Sequence, residues 1–552
     1  MALSDLRISQ LILPIPRGGI GWCYLAAVAL AFSVVYYFNS FLSDDAFFSF
    51  RVADNFVRGD GLRWNIASRV QTFTSPLHTL AFTALYALSY DPSPVPNPNP
   101  IYFTSMFLTY AVSLAGLMWL AVRIPVRLFV PFLLLLLSAP AWVSFTSSGL
   151  ENCWIFLFVI LFYQKFFFGE YEKPSDYSLA FLWASLGVVT RLDTALLFLP
   201  ACCYLLVAGG RAYGPKMWRG VALAALPMLL WFAFSLIYFG SLFPNTYFAK
   251  IGLDVDSSVL HRMGAAYLML GFEQEPITFA AIALGTVLSI FQSRTRLAGL
   301  SVALYVNYVY TIGGDFIGYR FMAAPFLLSA LIMLAFAASK NLAHSTPRVA
   351  TVCGLFVLYA ALTPASPLRA FHERPAAGDV AYYFRASNLA QWRPGLSFPF
   401  ARFNAILSSG HCERLRLRGR RTSVSGGGYE AYCRGPEAQI INVASIADPL
   451  LARLAVRVER PFLPGHVFKS IPQGYVESLE GGKNVIVDPK LALYFDELQR
   501  VVAGPIFDPA RWRAIWKLNF TSARRYRTPY LADHSYDRPQ PASLVEQVKR
   551  GG

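Results

Sequence analysis

The stretch SDDAFFSFRVADNFVRGDGLRWNIASRVQTFTS, residues 43–75, decides how the rest of the chain is interpreted. It begins where the first apolar run, residues 22–42, ends, so two adjacent acids, Asp44 and Asp45, lie at the mouth of a predicted membrane-spanning helix. Acids at the edge of hydrocarbon are costly and usually functional. One acid would be enough to cap the next helix, so the pair favours catalysis or metal binding.

After the acid pair, apolar residues recur with the period of an α-helix. The remaining, polar face carries Asp44, Arg51, Asp54, Asn55 and Arg58. This pattern predicts a helix that lies along the membrane surface, with its charges directed at a partner above it. The Gly-Asp-Gly sequence at 59–61 is predicted to end the helix.

The composition is that of an integral membrane protein. Of the 552 residues, 55% are hydrophobic and only 14% are charged, and the mean hydropathy is +0.43. No cleavage signal follows the first apolar run, which is therefore predicted to be a retained span and not a signal peptide. The net charge of +16 is attributed to loops that face anionic lipid, and no nucleic-acid partner is expected.

Apolar runs long enough to cross about 30 Å of hydrocarbon predict about eleven spans. They lie near residues 21–42, 101–122, 128–146, 151–168, 177–190, 194–209, 218–240, 276–292, 296–312, 321–339 and 348–364. The apolar segment 76–90 is short and begins with proline, so we predict that it is re-entrant or lies on the surface. The basic clusters between spans then fall on the side of the N-terminus, which the positive-inside rule assigns to the cytoplasm.

Two domains follow from this topology: a transmembrane module, residues 1–364, and an outer soluble domain, residues 365–552. In the outer domain we predict a small α+β unit, with strands at 439–443 and 484–488 and helices at 449–458 and 489–502. Its two cysteines, Cys412 and Cys433, can form a disulfide if the domain lies outside the cytoplasm.

Unusual polar groups collect on the predicted outer face. They are Asp44 with Asp45, Glu151, Arg191 with Asp193, Asn245 with Lys250, and Asp315 with Arg320. Each alone has an ordinary explanation as a helix cap or ion pair, but together they favour a polar cavity that opens outwards. Because the charges lie at the ends of spans and a large outer domain is attached, an enzyme is favoured over a transporter. The sequence has no Walker-type loop, so an activated group would arrive on a lipid carrier.

The chain resembles the GT-C glycosyltransferases, which are polytopic, and in particular the mycobacterial-type terminal β-(1→2) arabinofuranosyltransferases. The motifs that carry the resemblance are SDDAFFSFRVADNFVRGDGLRWN (43–65), VQTFTSPLHTL (70–80), SSGLEN (147–152), TRLD (190–193), YFGSLFPNTYFAK (238–250), GGDFIGYRF (313–321), ASIADPLLAR (444–453) and RPFLPGHVFKSIPQGYVESL (460–479). They are collinear over most of the chain. The chain departs from the family at His78, where tryptophan is common, and at Leu192, where proline is usual.

The resemblance implies an inverting transfer of D-arabinofuranose from decaprenyl-phosphate to a hydroxyl of a cell-envelope glycan, at the outer face of a bacterial plasma membrane. Such a transfer needs a base for the hydroxyl proton and cations for the departing phosphate. Asp44 is the first candidate for the base and Asp45 the second. Candidates for binding the donor phosphate are Arg320, Lys250 and Arg191.

Other residues are expected to position those cations or to bind the sugar or the acceptor: Glu151, Asp193, Asn245, Asp315, His466 and Arg51. Three tyrosines of the outer domain are expected to be exposed and to contact the acceptor glycan: Tyr429, Tyr432 and Tyr475. A divalent cation at the acid pair is an option, although arginine and lysine alone can stabilise a monophosphate. Two alternatives stay open: a GT-C transferase of another polyprenyl-phosphate sugar to lipid, glycan or protein, and a transporter of polyprenyl lipid or polysaccharide.

Overall fold

The structure, a computed structural model, describes residues 19–91, 99–251, 253–315, 317–342, 345–364, 366–368, 387–394, 396, 411–417, 419, 421–457, 467–522 and 526–531. These residues form the helices α1 Gly19–Asn39, α2 Ala46–Val57, α3 Pro76–Tyr86, α4 Asn99–Ala121, α5 Val126–Ser138, α6 Pro140–Phe145, α7 Asn152–Phe168, α8 Pro174–Thr190, α9 Ala195–Tyr213, α10 Pro215–Tyr238, α11 Asn245–Ile251, α12 Ser257–Gln274, α13 Pro276–Ser289, α14 Ser293–Thr311, α15 Ala323–Ser339, α16 Thr346–Leu362, α17 His411–Leu415, α18 Gly428–Cys433, α19 Tyr475–Gly481, α20 Pro489–Ala503 and α21 Pro509–Phe520. The strands are β1 Leu253–Asp254, β2 Thr422–Ser425, β3 Gln439–Asn442, β4 Leu454–Arg457 and β5 Tyr526–Leu531.

The predicted helical membrane architecture is present in the sense that long apolar helices dominate the chain. Among the described residues, five helical segments are long and apolar enough to cross a membrane: Gly19–Asn39, Asn99–Ala121, Leu192–Tyr213, Pro215–Tyr238 and Arg320–Ser339. Four further apolar helices are shorter: Val126–Ser138, Asn152–Phe168, Pro276–Ser289 and Thr346–Leu362. Helices cover every segment predicted to span, whereas the number of crossings and the orientation stay predictions.

The chain forms two compact units. The first comprises described residues within Met1–Leu42, Ser105–Met228 and Tyr267–Phe403, and the second those within Ser43–Thr104, Leu229–Ala266 and Asn404–Gly552. The second unit therefore combines residues 43–75, which carry the acid pair, with the C-terminal segment. The predicted boundary at residue 364 concerns the side of the membrane on which each part lies, and it stays a prediction.

In the first unit, α15 is the central helix and packs against α5, α7, α13 and α14. Nearly all of its side chains are buried. A Cβ atom at Gly285 of α13 would approach the backbone oxygen of Ser329 of α15 to 2.8 Å. Glycine at 285 therefore allows the two helices to approach closely, as small residues do where apolar helices pack.

In the second unit, α2 and α3 pack against each other. The α3 helix has 11 residues and a length of about 16 Å, roughly half the thickness of the hydrocarbon. This length fits the predicted re-entrant or surface-lying segment. His78, which departs from the family pattern, is buried in α3 with its ring stacked on Phe82.

Most residues of α2 are buried within the second unit. Its predicted position along the membrane surface stays a prediction. The helix ends where glycine was expected to end it: Arg58 is the C-cap, and Gly59 follows with a φ of +93°. This left-handed conformation is one that glycine adopts without strain.

Two small parallel sheets complete the second unit. One has the strand order β1-β4-β5, and the other pairs β2 with β3. Helices α20 and α21 supply much of an apolar core with Leu491, Leu498, Ile515 and Leu518. The predicted strand at 439–443 and helix at 489–502 correspond to β3 and α20.

Two other predictions for this region are wrong. Residues 449–458 were expected to be helical, but they form a 3₁₀ turn, Leu451–Arg453, followed by β4. Lys469 explains the difference, since its buried Nζ donates hydrogen bonds to the carbonyl oxygens of residues 451, 452 and 454, at 2.8, 3.3 and 3.0 Å. Residues 484–488 are not a strand, because the Val485 N–H donates to Ser478 Oγ and not to a ladder.

We predict that Lys469→Met destabilises the second unit by about 3 kcal/mol or more, because three buried carbonyl groups lose their donor. Thermal unfolding of the detergent-purified protein measures the effect. Lys490→Met is the matched control, since Lys490 is exposed. Equal unfolding temperatures for the two variants would contradict the bridging role of Lys469.

Candidate functional site

The acid pair directly precedes α2, and its two carboxylates differ in their hydrogen bonds. Asp45 is the N-cap residue of α2, but its side chain accepts no capping hydrogen bond. The Asp44 carboxylate instead reaches α18, where Oδ2 accepts from the Gly428 N–H at 2.7 Å and Oδ1 from the Tyr429 N–H at 2.8 Å. These N–H groups belong to the first turn of α18, the positive end of the helix, and they fix the orientation of the carboxylate.

Arg51 lies on α2, and its side chain is only 2% exposed. Its guanidinium donates to the carbonyl oxygens of Trp64 (2.9 Å), Ala431 (2.7 Å), Gly435 (2.7 Å), Pro436 (3.4 Å) and Ala438 (2.8 Å). Five acceptors match the five N–H donors of the side chain. These contacts are those of a residue that positions the backbone, and the predicted role of Arg51 towards the sugar or the acceptor stays a prediction. Burial lowers the pKa of Arg51 to about 10, so it stays a cation at neutral pH.

Asp44 and Arg51 are seven positions apart, which is two helical turns, so they share one face. Asp44 accepts hydrogen bonds from N–H groups in the first turn of α18. Arg51 donates to carbonyl groups in the last turn of α18 and just after it. An anion at the first turn and a cation at the last complement the helix dipole. We refer to Asp44 and Arg51 together as the α18 clamp.

A disulfide and aromatic contacts complete the surroundings of α18. Cys412 and Cys433, the two cysteines of the predicted outer domain, are joined with their Cα atoms 4.6 Å apart. The ring of Phe47 on α2 contacts Tyr429 at 5.0 Å and Tyr432 at 5.6 Å. Both tyrosines are buried, so the prediction that they are exposed to acceptor glycan is wrong.

Asn245 was predicted to bind the sugar or the acceptor or to position other groups, and it is buried. Its Nδ2 donates to the carbonyl oxygens of Ser445, Ile446 and Asp448 at 3.0–3.1 Å. Its Oδ1 accepts from Arg453 Nη1 at 3.2 Å. These contacts are those of a positioning residue, and a contact with the sugar stays a prediction. The bonds anchor the start of α11, which carries the exposed Lys250.

Asp448 is a buried acid that the sequence analysis did not single out. Its Oδ1 accepts from the N–H groups of Leu450 and Leu451 at 3.0 and 2.8 Å. The hydroxyl of Tyr475 donates to the same carboxylate at 3.0 Å, so Tyr475 is buried and not an exposed aromatic residue. Burial raises the pKa of Asp448 to about 6 despite these donors. An acid followed by proline in the apolar stretch ASIADPLLAR was the available signal.

In the first unit, Arg191 brings together two of the predicted acids. Its Nη1 donates to Glu151 at 2.8 Å, and its Nε and Nη2 form a bidentate pair with Asp193 at 2.9 and 2.6 Å. Burial alone would raise the pKa of Glu151, but Arg191 and Arg320 hold it well below its usual range. Asp193 and Glu151 in turn raise the pKa of Arg191, against the effect of its burial.

The Arg191 cluster carries two acids and one cation, so it has an excess negative charge before Arg320 is counted. Such a cluster does not attract phosphate by itself. Arg320 lies close enough to Glu151 to lower the pKa of that acid. Of the two predicted phosphate ligands in the first unit, Arg320 is therefore the stronger candidate, while Arg191 neutralises Glu151 and Asp193.

Asp315 organises the turn that carries Arg320. Its Oδ1 accepts from the Ile317 N–H at 2.9 Å, and its Oδ2 from the Phe321 N–H at 2.9 Å and from the Tyr267 hydroxyl at 3.0 Å. Burial raises the pKa of Asp315, and these donors offset part of the effect. Tyr319 in this turn has a φ of +60°, a conformation that costs about 1–3 kcal/mol and persists only where surrounding contacts impose it.

Two predictions concern groups that the structure does not place. His466 lies outside the described residues. Within the described ranges, no group of three or more His, Cys, Asp or Glu side chains is arranged to hold a metal ion. The option of a divalent cation at Asp44 and Asp45 stays a prediction.

Comparison with known proteins gives no family assignment. No protein-family model matches the chain, and no curated protein matches it. The functional argument therefore rests on the residues of this chain and on their geometry.

We predict that Asp448→Asn removes part of the pH dependence of stability. The folded state holds the Asp448 proton up to a pKa of about 6, whereas an unfolded aspartate has a pKa of about 3.9. The proton therefore stabilises the fold fully below pH ~4, and this contribution, about 3 kcal/mol, is lost as the pH rises through 6. Asparagine should flatten this part of the profile.

Unfolding midpoints of the detergent-purified protein between pH 4 and pH 7 measure this effect. Asp496→Asn on the exposed side of α20 is the control and should keep the wild-type slope. Parallel profiles for wild type and Asp448→Asn would contradict the raised pKa.

Proposed function

We propose that this protein is an inverting glycosyltransferase that moves D-arabinofuranose from a polyprenyl-phosphate donor to a hydroxyl of an envelope glycan. The observation that carries the proposal is the acid pair directly after the first apolar helix, with the Asp44 carboxylate oriented by two backbone N–H groups. The long apolar helices support it, because a lipid-linked donor requires an enzyme within the membrane.

Asp44 is the proposed general base. Each oxygen of an ionised carboxylate has two lone-pair sites, so an oxygen that accepts one N–H can still take a proton. The acceptor hydroxyl gives its proton to Asp44 as its oxygen bonds to the anomeric carbon. The bond between that carbon and the phosphate oxygen breaks on the opposite face, which inverts the anomeric configuration and releases polyprenyl phosphate. Asp45, the N-cap residue of α2, whose side chain makes no capping hydrogen bond, is the second candidate.

Arg320 in the first unit and Lys250 in the second are separate candidates for the cation that stabilises the departing phosphate. Asp315 fixes the turn that carries Arg320, and Asn245 anchors the helix that carries Lys250. Positioned cations are effective because they need little reorganisation as charge develops on the leaving group. Arg191 is assigned to Glu151 and Asp193, and this cluster would help to place Arg320 by its negative charge.

We predict that Asp44→Asn lowers the turnover number at least 100-fold while donor affinity changes little, because a general base contributes typically 10²–10⁴-fold. The assay uses purified protein, decaprenyl-phosphoryl arabinofuranose and a synthetic arabinan acceptor. Asp45→Asn is measured in parallel. Asp60→Asn is the control, because Asp60 lies on the same loop and pairs with Arg58 at 3.9 Å.

The outcomes separate the candidate functions. A glycosidic product that requires Asp44 supports the proposal, and unchanged turnover in Asp44→Asn contradicts the role of the base. A product formed only with another polyprenyl-phosphate sugar keeps the reaction type and changes the donor. Movement of donor across vesicles without a new glycosidic bond would replace the enzyme with a transporter.

A further inference from the structure

Helix α21 has two different faces. The face towards the core of the second unit carries Arg511, Ala514, Ile515 and Leu518, all buried. The opposite face carries Arg513, Trp516, Lys517 and Phe520, spaced three or four residues apart and exposed. Trp516 is 65% exposed and Phe520 50% exposed, and their rings contact each other at 5.0 Å. Phe507, just before the helix, is 81% exposed.

Helix α21 is tied to the end of a candidate membrane span. The buried Arg511 donates from Nη1 to the carbonyl oxygen of Ile237 at 2.9 Å and from Nη2 to that of Tyr238 at 3.0 Å. These are the last two residues of α10. Asn519 Nδ2 donates to the carbonyl oxygen of Gly240 at 2.8 Å. Both ends of α21 are therefore held against the point where α10 ends.

Because α10 is a candidate membrane span of 24 residues, its end is expected at the level where hydrocarbon gives way to lipid headgroups. Its residues 229–238 belong to the same compact unit as α21, and they expose Leu229, Leu230, Phe234 and Ile237. In a span with 11% of its most apolar window buried, such side chains face lipid. Because α21 is bonded to the last residues of this span, it lies near the interface and not far out in water.

The exposed face of α21 has the chemistry that this interface favours. Tryptophan and phenylalanine bury apolar rings at headgroup level, and arginine and lysine pair with the phosphates of anionic lipids. Lys517 contacts Glu497 at 3.5 Å, but its side chain remains 54% exposed and can reach a second anion. An aromatic pair with flanking cations in water, by contrast, would expose apolar area for no gain.

We propose that this face of α21, with Phe507, is a membrane-docking surface for anionic lipid. The aromatic rings enter the headgroup region, and Arg513 and Lys517 bind lipid phosphate. This inference is independent of the proposed glycosyltransferase reaction. It changes one expectation from the sequence, since part of the segment predicted to be a soluble domain then rests on the membrane.

The test is lipid quenching of Trp516 in the full chain reconstituted into vesicles of phosphatidylcholine and phosphatidylglycerol. The emission of wild type minus that of Trp516→Phe isolates this one tryptophan. We expect phosphatidylcholine brominated on its acyl chains to quench this difference signal by half or more, and aqueous acrylamide to quench it weakly. The matched control is Trp512→Phe: Trp512 packs against the core from the same helix, and its difference signal should resist both quenchers.

The lipid charge is tested with the double variant Arg513→Gln, Lys517→Gln. We expect it to reduce quenching by brominated lipid in the anionic vesicles and to have no effect in vesicles of phosphatidylcholine alone. Quenching of Trp516 by acrylamide and not by brominated lipid would overturn the proposal, because the face would then meet water or a protein partner. Equal quenching of wild type and double variant in anionic vesicles would overturn the binding of lipid phosphate.

Discussion

The second unit depends on the α18 clamp, in which Asp44, just before α2, and Arg51 of α2 hold opposite ends of a six-residue helix. A helix this short has almost no stability of its own, because most of its N–H and C=O groups have no intrahelical partner. Bonds from an ionised side chain contribute about 1.5–3 kcal/mol each. The clamp thus allows α18 to form and fixes the carboxylate proposed as the base.

The same principle recurs at the other buried polar groups. Lys469, Asn245 and Asp315 each bind two or three backbone groups of irregular segments. In irregular backbone many N–H and C=O groups have no backbone partner for a hydrogen bond. Buried side chains must therefore supply the missing donors and acceptors. Polar residues that the sequence suggests as ligand contacts can therefore have a structural role, in which they hydrogen-bond backbone groups of the same chain.

Periodicity and hydropathy were sufficient to predict where the apolar helices lie and that Asp44 and Arg51 share one face. They did not reveal what covers that face, because the partner carbonyls of Arg51 lie about 380 residues later in the chain. The sequence of residues 449–458 has a helical pattern. In the structure, however, Lys469 Nζ donates hydrogen bonds to carbonyl oxygens that would accept from N–H groups within a helix. The burial of Tyr429 and Tyr432 was missed for the same reason, since it arises from distant segments.

Amide hydrogen exchange at Gly428 and Tyr429 tests the clamp most directly, because these are the N–H groups that Asp44 binds. The measurement compares wild type, Asp44→Ala and Asp45→Ala in detergent. The clamp predicts exchange at least about tenfold faster at both amides in Asp44→Ala, since 1.4 kcal/mol corresponds to a factor of ten. In Asp45→Ala the two amides should exchange at the wild-type rate. Unchanged exchange in Asp44→Ala would contradict the account.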